Sequence, residues 1–141
     1  MNVNIRPMRI TDYDQMLDLW KNSEGIGLSR ADSYEGVQRF LERNPGTSFV
    51  AVDGEQVVAT ILAGHDGRRG YLHHVAVAEK YRRRGIGEAL VEKSLNQFRS
   101  LGIQKCHLFV AERNEAALRF WKLTGWVERA ELIMFSRDIG N

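Results

Sequence analysis

The segment that most constrains this chain is Val75-Ala76-Val77-Ala78-Glu79-Lys80-Tyr81-Arg82-Arg83-Arg84-Gly85-Ile86-Gly87-Glu88. An apolar strand passes through a short turn into Arg-x-x-Gly-x-Gly, and a helical period opens directly behind it. Successive backbone N–H groups in such a turn converge on one point, and the helix N-terminus adds about half a positive charge. Gly85 and Gly87 lack Cβ, so a diphosphate can approach the main chain closely, and the arginines add counter-charge. The plainer reading is a solvated Arg cluster at a helix start. A Walker loop would need Gly-x-x-x-x-Gly-Lys-Ser/Thr, which is absent, and a dinucleotide fingerprint would need Gly or Ala where Leu90 stands.

Around this segment the chain reads as mixed α+β. Val3–Arg6 alternates like a short strand and stops at Pro7. Thr11 or Asp12 is placed to cap a helix with Met16, Leu17, Leu19 and Trp20 on its apolar face. Residues 22–32, with Gly25 and Gly27, read as loop, and Ser33 can cap a second helix that turns Val37, Phe40 and Leu41 inward. Phe49–Val52, Asp53-Gly54 and Val57–Leu62 predict a hairpin, and a turn at Asp66-Gly67 leads into a third strand over Tyr71–Val77. Gly85–Leu101 predicts a helix with Ile86, Ala89, Leu90, Leu95 and Phe98 inward, stopped by Gly102. Cys106–Val110 predicts a short strand, Asn114–Leu123 a helix closed by Gly125, and Leu132–Phe135 a last strand. The order β-α-α-β-β-β-α-β-α-β-β predicts an α+β fold.

The length of 141 residues predicts one domain over 1–141. With 43% hydrophobic residues the chain can build a core without disulfides, which argues against disorder. Twenty Lys and Arg against eighteen Asp and Glu leave a net charge of +2, too balanced for a general nucleic-acid or membrane field. Arg68, Arg69 and Arg82–Arg84 also lack the interleaved aromatics of a nucleic-acid surface. The single cysteine, Cys106, excludes an internal disulfide and a Cys-rich zinc site, and reads as a small core residue. No apolar run approaches the ~20 residues of a membrane span. The N-terminus lacks a basic-then-apolar signal pattern. The expectation is a soluble cytoplasmic protein without a metal.

Arg82-x-x-Gly85-x-Gly87 behind Leu72–Val77 resembles the coenzyme A loop of the GNAT superfamily of N-acetyltransferases. Downstream, Asn114-Glu115-Ala116-Ala117-Leu118-Arg119-Phe120-Trp121-Lys122-Leu123-Thr124-Gly125-Trp126 resembles that family's second signature, an Asn-capped helix bearing Ala-x-x-Phe-Tyr and ending in Gly-Phe. The order of elements matches over nearly the whole chain. The resemblance implies a mostly antiparallel central sheet of about seven strands, splayed in the middle, with about four helices on its two faces. It implies acetyl-CoA as co-substrate and acetyl transfer to a primary amine of a small molecule or peptide. Val75, Ala76 and Val77 would bond the pantetheine arm through their backbone. Arg82, Arg83, Arg84, Gly85, Ile86, Gly87 and Glu88 would surround the pyrophosphate. Asn114 would touch the coenzyme near its pantetheine, with Ala117 and Phe120 packing nearby; Asn114 is equally placed as an ordinary N-cap.

Two residues depart from the family pattern. Trp121 stands where the family usually has the Tyr that protonates the leaving thiolate, and an indole N–H is no acid near neutral pH. Phe109 stands where some members that acetylate peptide N-termini carry a Glu. An alkylamine with a pKa near 10.4 is only about one part in 10³ neutral at pH 7, so a base is useful. Some amine-acetylating members carry a His at the place of His73, and Tyr71 and Tyr81 are the tyrosines nearest to hand as acids. Regular alternation would put Tyr71, His73 and Val75 on one face and His74 on the other, which weakens a His73–His74 metal site. His65 and Asp66 read as plain turn residues, and Glu24 as an exposed loop acid. A non-catalytic acyl-CoA-binding domain is the competing function, distinguished by whether any amine releases coenzyme at turnover rates. The acceptor is not written in the sequence, and a homodimer is left open.

Overall fold

In the computed structural model, which describes residues 2–140, strands β1 (Val3–Pro7), β2 (Phe49–Asp53), β3 (Gln56–His65), β4 (Gly70–Val77) and β5 (Cys106–Leu108) form one sheet in that order. Strands β1 to β4 pair antiparallel in succession, and β5 lies parallel to β4. Helices α1 (Tyr13–Lys21), α2 (Tyr34–Arg43) and α3 (Ile86–Ser100) accompany it, and α4 (Glu115–Leu123) follows. The chain divides at Phe109/Val110 into two compact units, the second holding α4.

The local signals behave as their chemistry requires. The Ser33 hydroxyl accepts from the Gly36 N–H at 3.0 Å and starts α2. Asp12 accepts from the Arg9 N–H and pairs with Arg6 at 2.8 Å, so it caps a short 3-10 turn over Ile10–Asp12 directly before α1. Asp66 Oδ1 accepts from the Arg68 and Arg69 N–H groups, closing the turn between β3 and β4.

The two faces of the sheet can be told apart at adjacent residues. A Cβ added at Gly64 would lie 2.5 Å from the Phe40 ring of α2, whereas one added at Gly70 would lie 2.6 Å from Phe98 of α3. Gly70 pairs with His65, the neighbour of Gly64, so α2 and α3 cover opposite faces. On the α1–α2 face, Met16, Trp20 and Val37 pack with Val50, Val52, Val57, Leu62 and Ala76. Trp20 and Phe98 are among the largest wholly buried side chains. Each contributes on the order of 1.5–3 kcal/mol by burial.

The sheet has five strands among the described residues where about seven were expected. Leu132–Phe135 is the clear difference: it forms no strand, and Ile133 and Phe135 are 81% and 91% exposed. Four consecutive apolar residues carry no period of two, and no ladder takes up their backbone groups.

Candidate active site

In the first unit, β4 and β5 part early. Their ladder covers only Gly70–Cys106, Tyr71–His107 and Leu72–Leu108. Beyond it, residues 73–77 of β4 stay paired to β3 on one side and have no strand on the other among the described residues. The result is a short run of open sheet edge, whose N–H and C=O groups can pair with an extended ligand as an added strand would.

A bulge interrupts β4 along this edge. Thr60 faces Ala76 and Leu62 faces His73, so His74 and Val75 together oppose Ile61. His74 takes φ of 48°, in the left-handed region. The extra residue breaks the regular alternation expected for the strand. His73 and His74 both meet the α1–α2 layer: the His73 ring lies 6.0 Å from Phe40, and the His74 ring 4.7 Å from Trp20. His73 and His74 therefore share a face, contrary to the simple two-residue period. Tyr71, before the bulge, pairs with Gly64 and lies edge-tilted 5.8 Å from the His107 ring.

His73 is half-buried, and burial together with the neighbouring His74 holds its pKa below the ordinary value, although Asp32 pulls the other way. The neutral imidazole that a base requires is thereby favoured. His74 is instead engaged, its Nε2 lying 2.7 Å from Asp32 Oδ1. Among the described residues no cluster of metal-ligating side chains forms.

The Arg-x-x-Gly-x-Gly loop leaves the end of β4 through a 3-10 turn over Glu79–Tyr81. Arg83 and Gly85 both have positive φ, 63° and 79°, which curls the main chain immediately ahead of α3. Such curling turns successive N–H groups inward as an anion-binding nest, reinforced by the helix N-terminus. Gly85 has nothing within 4 Å of where a Cβ would stand, so the approach is open. Arg82 is committed differently: its Nε donates to the Val77 carbonyl at 2.9 Å and ties the loop to the strand end. Arg84 lies over the Tyr81 ring at 5.9 Å, and Ile86 turns its side chain into the core. Gly87 and Glu88 occupy the first turn of α3.

In the second unit, Asn114 caps α4 by accepting from the Ala117 N–H at 3.1 Å. Phe120 and Trp121 lie edge to face at 4.9 Å, and Trp121 meets Trp126 the same way at 5.2 Å. Cys106, on β5, is a poor nucleophile: burial pushes its thiol up to about 12. Glu24 and Asp66 are exposed, as loop and turn residues should be. Pattern reading misses Asp32 and Thr60 as partners of the site, and it names Tyr81 as an acid without foreseeing its bond to Asp53. These contacts are distant in sequence, and no local spacing announces them.

The profile of the acetyltransferase (GNAT) family matches residues 13–126. An acetyltransferase of Photorhabdus laumondii is 29% identical over 138 residues, covering 97% of this chain and 96% of that one. Among solved structures, Ard1 from Thermoplasma volcanium aligns with a TM-score of 0.81 at 23% identity, over 92% of this chain and 86% of that one. The PaiA N-acetyltransferase from Thermoplasma acidophilum, in complex with coenzyme A, aligns with a TM-score of 0.78 at 18% identity, over 89% of each chain. A mixed sheet parting beside a glycine-rich helix start, with a family match running from α1 to the end of α4, leads to one conclusion: the chain belongs to the acetyltransferase (GNAT) family.

Proposed function

We propose that this acetyltransferase moves the acetyl group of acetyl-CoA to a primary amine of a small molecule or peptide by direct attack, residues 1–141 acting as one N-acetyltransferase domain. The observation that carries the reading is the open edge of β4 over residues 73–77, running into the curled loop at the start of α3. A long ligand with an amide-bearing arm and a diphosphate matches that order of groups. The PaiA neighbour, solved with coenzyme A, supports the same assignment.

Acetyl-CoA supplies a thioester whose thiolate leaves readily, its parent thiol having a pKa of only ~8.5. Val75, Ala76 and Val77 offer backbone groups to the pantetheine arm, and an N–H at the bulge is suited to hold the oxyanion of the tetrahedral intermediate. Gly85, Ile86, Gly87 and Glu88 present main-chain N–H groups to the diphosphate, with Arg83 and Arg84 adding charge. Arg82 works one step back, through its bond to Val77. His73, kept neutral by its surroundings, takes the proton of the attacking ammonium directly or through water. Tyr71 is the candidate acid on the same strand. Asn114, Ala117, Phe120 and Trp121 belong to the coenzyme-binding set by their place in the second signature.

The test is free-thiol release from acetyl-CoA across polyamines, aminoglycosides and peptide N-termini. Turnover with at least one amine is expected. Coenzyme binding with no turnover on the whole panel would replace this reading by a non-catalytic acyl-CoA-binding domain. The reaction needs no membrane, nucleic acid or metal, and it is compatible with a cytoplasmic protein acting as monomer or homodimer.

A further inference from the structure

His74 is held in an uncommon way. Besides Arg83, it is the one non-glycine among the described residues with positive φ, a region costly for a side chain with Cβ. Its conformation is fixed at two points. The imidazole Nε2 lies 2.7 Å from Asp32 Oδ1 while the ring tilts against Trp20. The carbonyl accepts from Thr60 Oγ1 at 2.8 Å, and that hydroxyl accepts in turn from Trp20 Nε1 at 2.9 Å. Asp32 is itself anchored: its second carboxylate oxygen accepts from the Ser29 N–H at 2.9 Å, and its carbonyl accepts from the Tyr13 hydroxyl at 2.6 Å.

An antiparallel strand has no need of an extra residue in the left-handed region. Here that residue sits where β4 loses its outer partner, and side chains from α1, β3 and the Ser29–Asp32 turn over-determine it. Strain held this firmly at an open edge is strain that serves the edge. The same bond also ties the loop after α1 to the bulge, so loop position and edge geometry move together.

We infer that His74 and Asp32 are positioning residues for acetyl transfer: their bond sets the β4 bulge, and thereby aims the Val75 edge, while docking the loop after α1 against it. The inference rests on the proposed reaction. Its effect is carried by geometry, so breaking the pair lowers kcat more than it raises the KM for acetyl-CoA.

The experiment compares Asp32→Ala, Asp32→Asn, His74→Gly and the Asp32→Ala/His74→Gly double variant, with unfolding midpoints recorded for each. Glycine keeps the left-handed backbone and removes the ring. Asparagine can still serve both partners, its oxygen accepting from the Ser29 N–H and its amide donating to His74 Nε2. Asp32→Ala and His74→Gly should each lower kcat at least tenfold, with KM for acetyl-CoA changed less than threefold. The double variant should be no worse than either single one, and Asp32→Asn should return to within about threefold of the parent. Unchanged kcat in Asp32→Ala, or single losses that multiply in the double variant, would overturn the pairing. A second readout is independent of turnover: the backbone amide resonance of Val75 should move in Asp32→Ala and return in Asp32→Asn. If the parent releases no thiol with any amine, the proposed reaction fails while the Val75 resonance still decides the clamp. A resonance that stays in place in Asp32→Ala would remove it. Should Asp32→Ala not fold, the same comparison is made between His74→Gly and Asp32→Asn, where equal losses would overturn the inference.

Discussion

The Tyr81 hydroxyl donates to Asp53 Oδ2 at 2.5 Å, joining the turn before α3 to the end of β2. The Tyr81 ring is buried, and Lys80 and Arg84 lie over it at 5.7 and 5.9 Å. The residue therefore stands under the loop proposed to cradle the diphosphate and fixes its height over the sheet. Tyr81→Phe keeps the ring and its cation contacts while deleting the bond. The expected outcome is a KM for acetyl-CoA raised about threefold to tenfold, the size of one lost hydrogen bond, with kcat nearly unchanged. Steady-state kinetics with acetyl-CoA varied at saturating amine checks it. An equal fall in kcat would mean that Tyr81 acts on chemistry.

Gly87 lies in the first turn of α3, beside the curl made by Arg83 and Gly85. A large side chain there is expected to take the space that the proposed cradle leaves for the diphosphate. Gly87→Trp should reduce coenzyme A affinity at least tenfold, about 1.4 kcal/mol, with an unaltered circular dichroism spectrum. Calorimetric titration measures the affinity. Full affinity in a folded variant would contradict the phosphate-cradle assignment. Gly85→Ala tests the backbone separately: φ is 79° with open space around the position, so the cost is conformational and about 1 kcal/mol of stability. A thermal midpoint lowered by a few degrees is expected.

These glycines are legible in the sequence because their signal is local. A left-handed φ at Gly85, the stop at Gly102 and the Asn114 cap each depend on residues within one turn. The hairpin turn at Asp53-Gly54 and the Ser33 cap are readable for the same reason. The bulge at His74 is not. It is held by Asp32, 42 residues upstream, and by Thr60, 14 residues upstream, and no period of two contains that information. The last strand at Leu132–Phe135 fails for the converse reason: apolar content reads as strand, yet a strand exists only where a neighbour completes its ladder.

His73 gives the pH prediction. Burial, with His74 second, holds its folded-state pKa below the ordinary value of 6.5. The neutral form is favoured on folding, so the group remains a competent base as pH falls through 6.5. The acid limb of kcat/KM should therefore lie below pH 6.5. His73→Gln should remove that limb and cost about 10²-fold in turnover on an alkylamine at pH 7, and less at pH 9, where free amine is commoner. The stability linkage has the matching sign. Its contribution is complete above the unfolded pKa and is lost as pH falls toward the depressed folded value, because the unfolded chain takes up the proton first. An equally large loss of turnover at both pH values would assign His73 to packing.

Trp121 is where the chain departs from its family's pattern, and it gives the sharpest test. The indole is packed edge to face between Phe120 and Trp126, at 4.9 and 5.2 Å, and it cannot supply a proton near neutral pH. If the thiolate takes its proton from water or from Tyr71, Trp121 contributes no basic limb to the rate. Trp121→Tyr introduces an O–H with a pKa near 10 at the same helical position. The smaller ring leaves part of the aromatic stack unfilled, at a cost of roughly 1–3 kcal/mol that an unfolding midpoint measures separately. The variant should fold, bind coenzyme with similar affinity and gain a new basic limb near pH 9–10 in its pH–rate profile. A profile identical to the parent's, with coenzyme binding preserved, would show that position 121 does not address the sulfur. Tyr71→Phe then becomes the deciding variant. Loss of the parent's basic limb in Tyr71→Phe would assign the acid to β4, its retention would pass the role to another titrating group with Tyr81 the next to test, and a parent without a basic limb would leave water as the proton source.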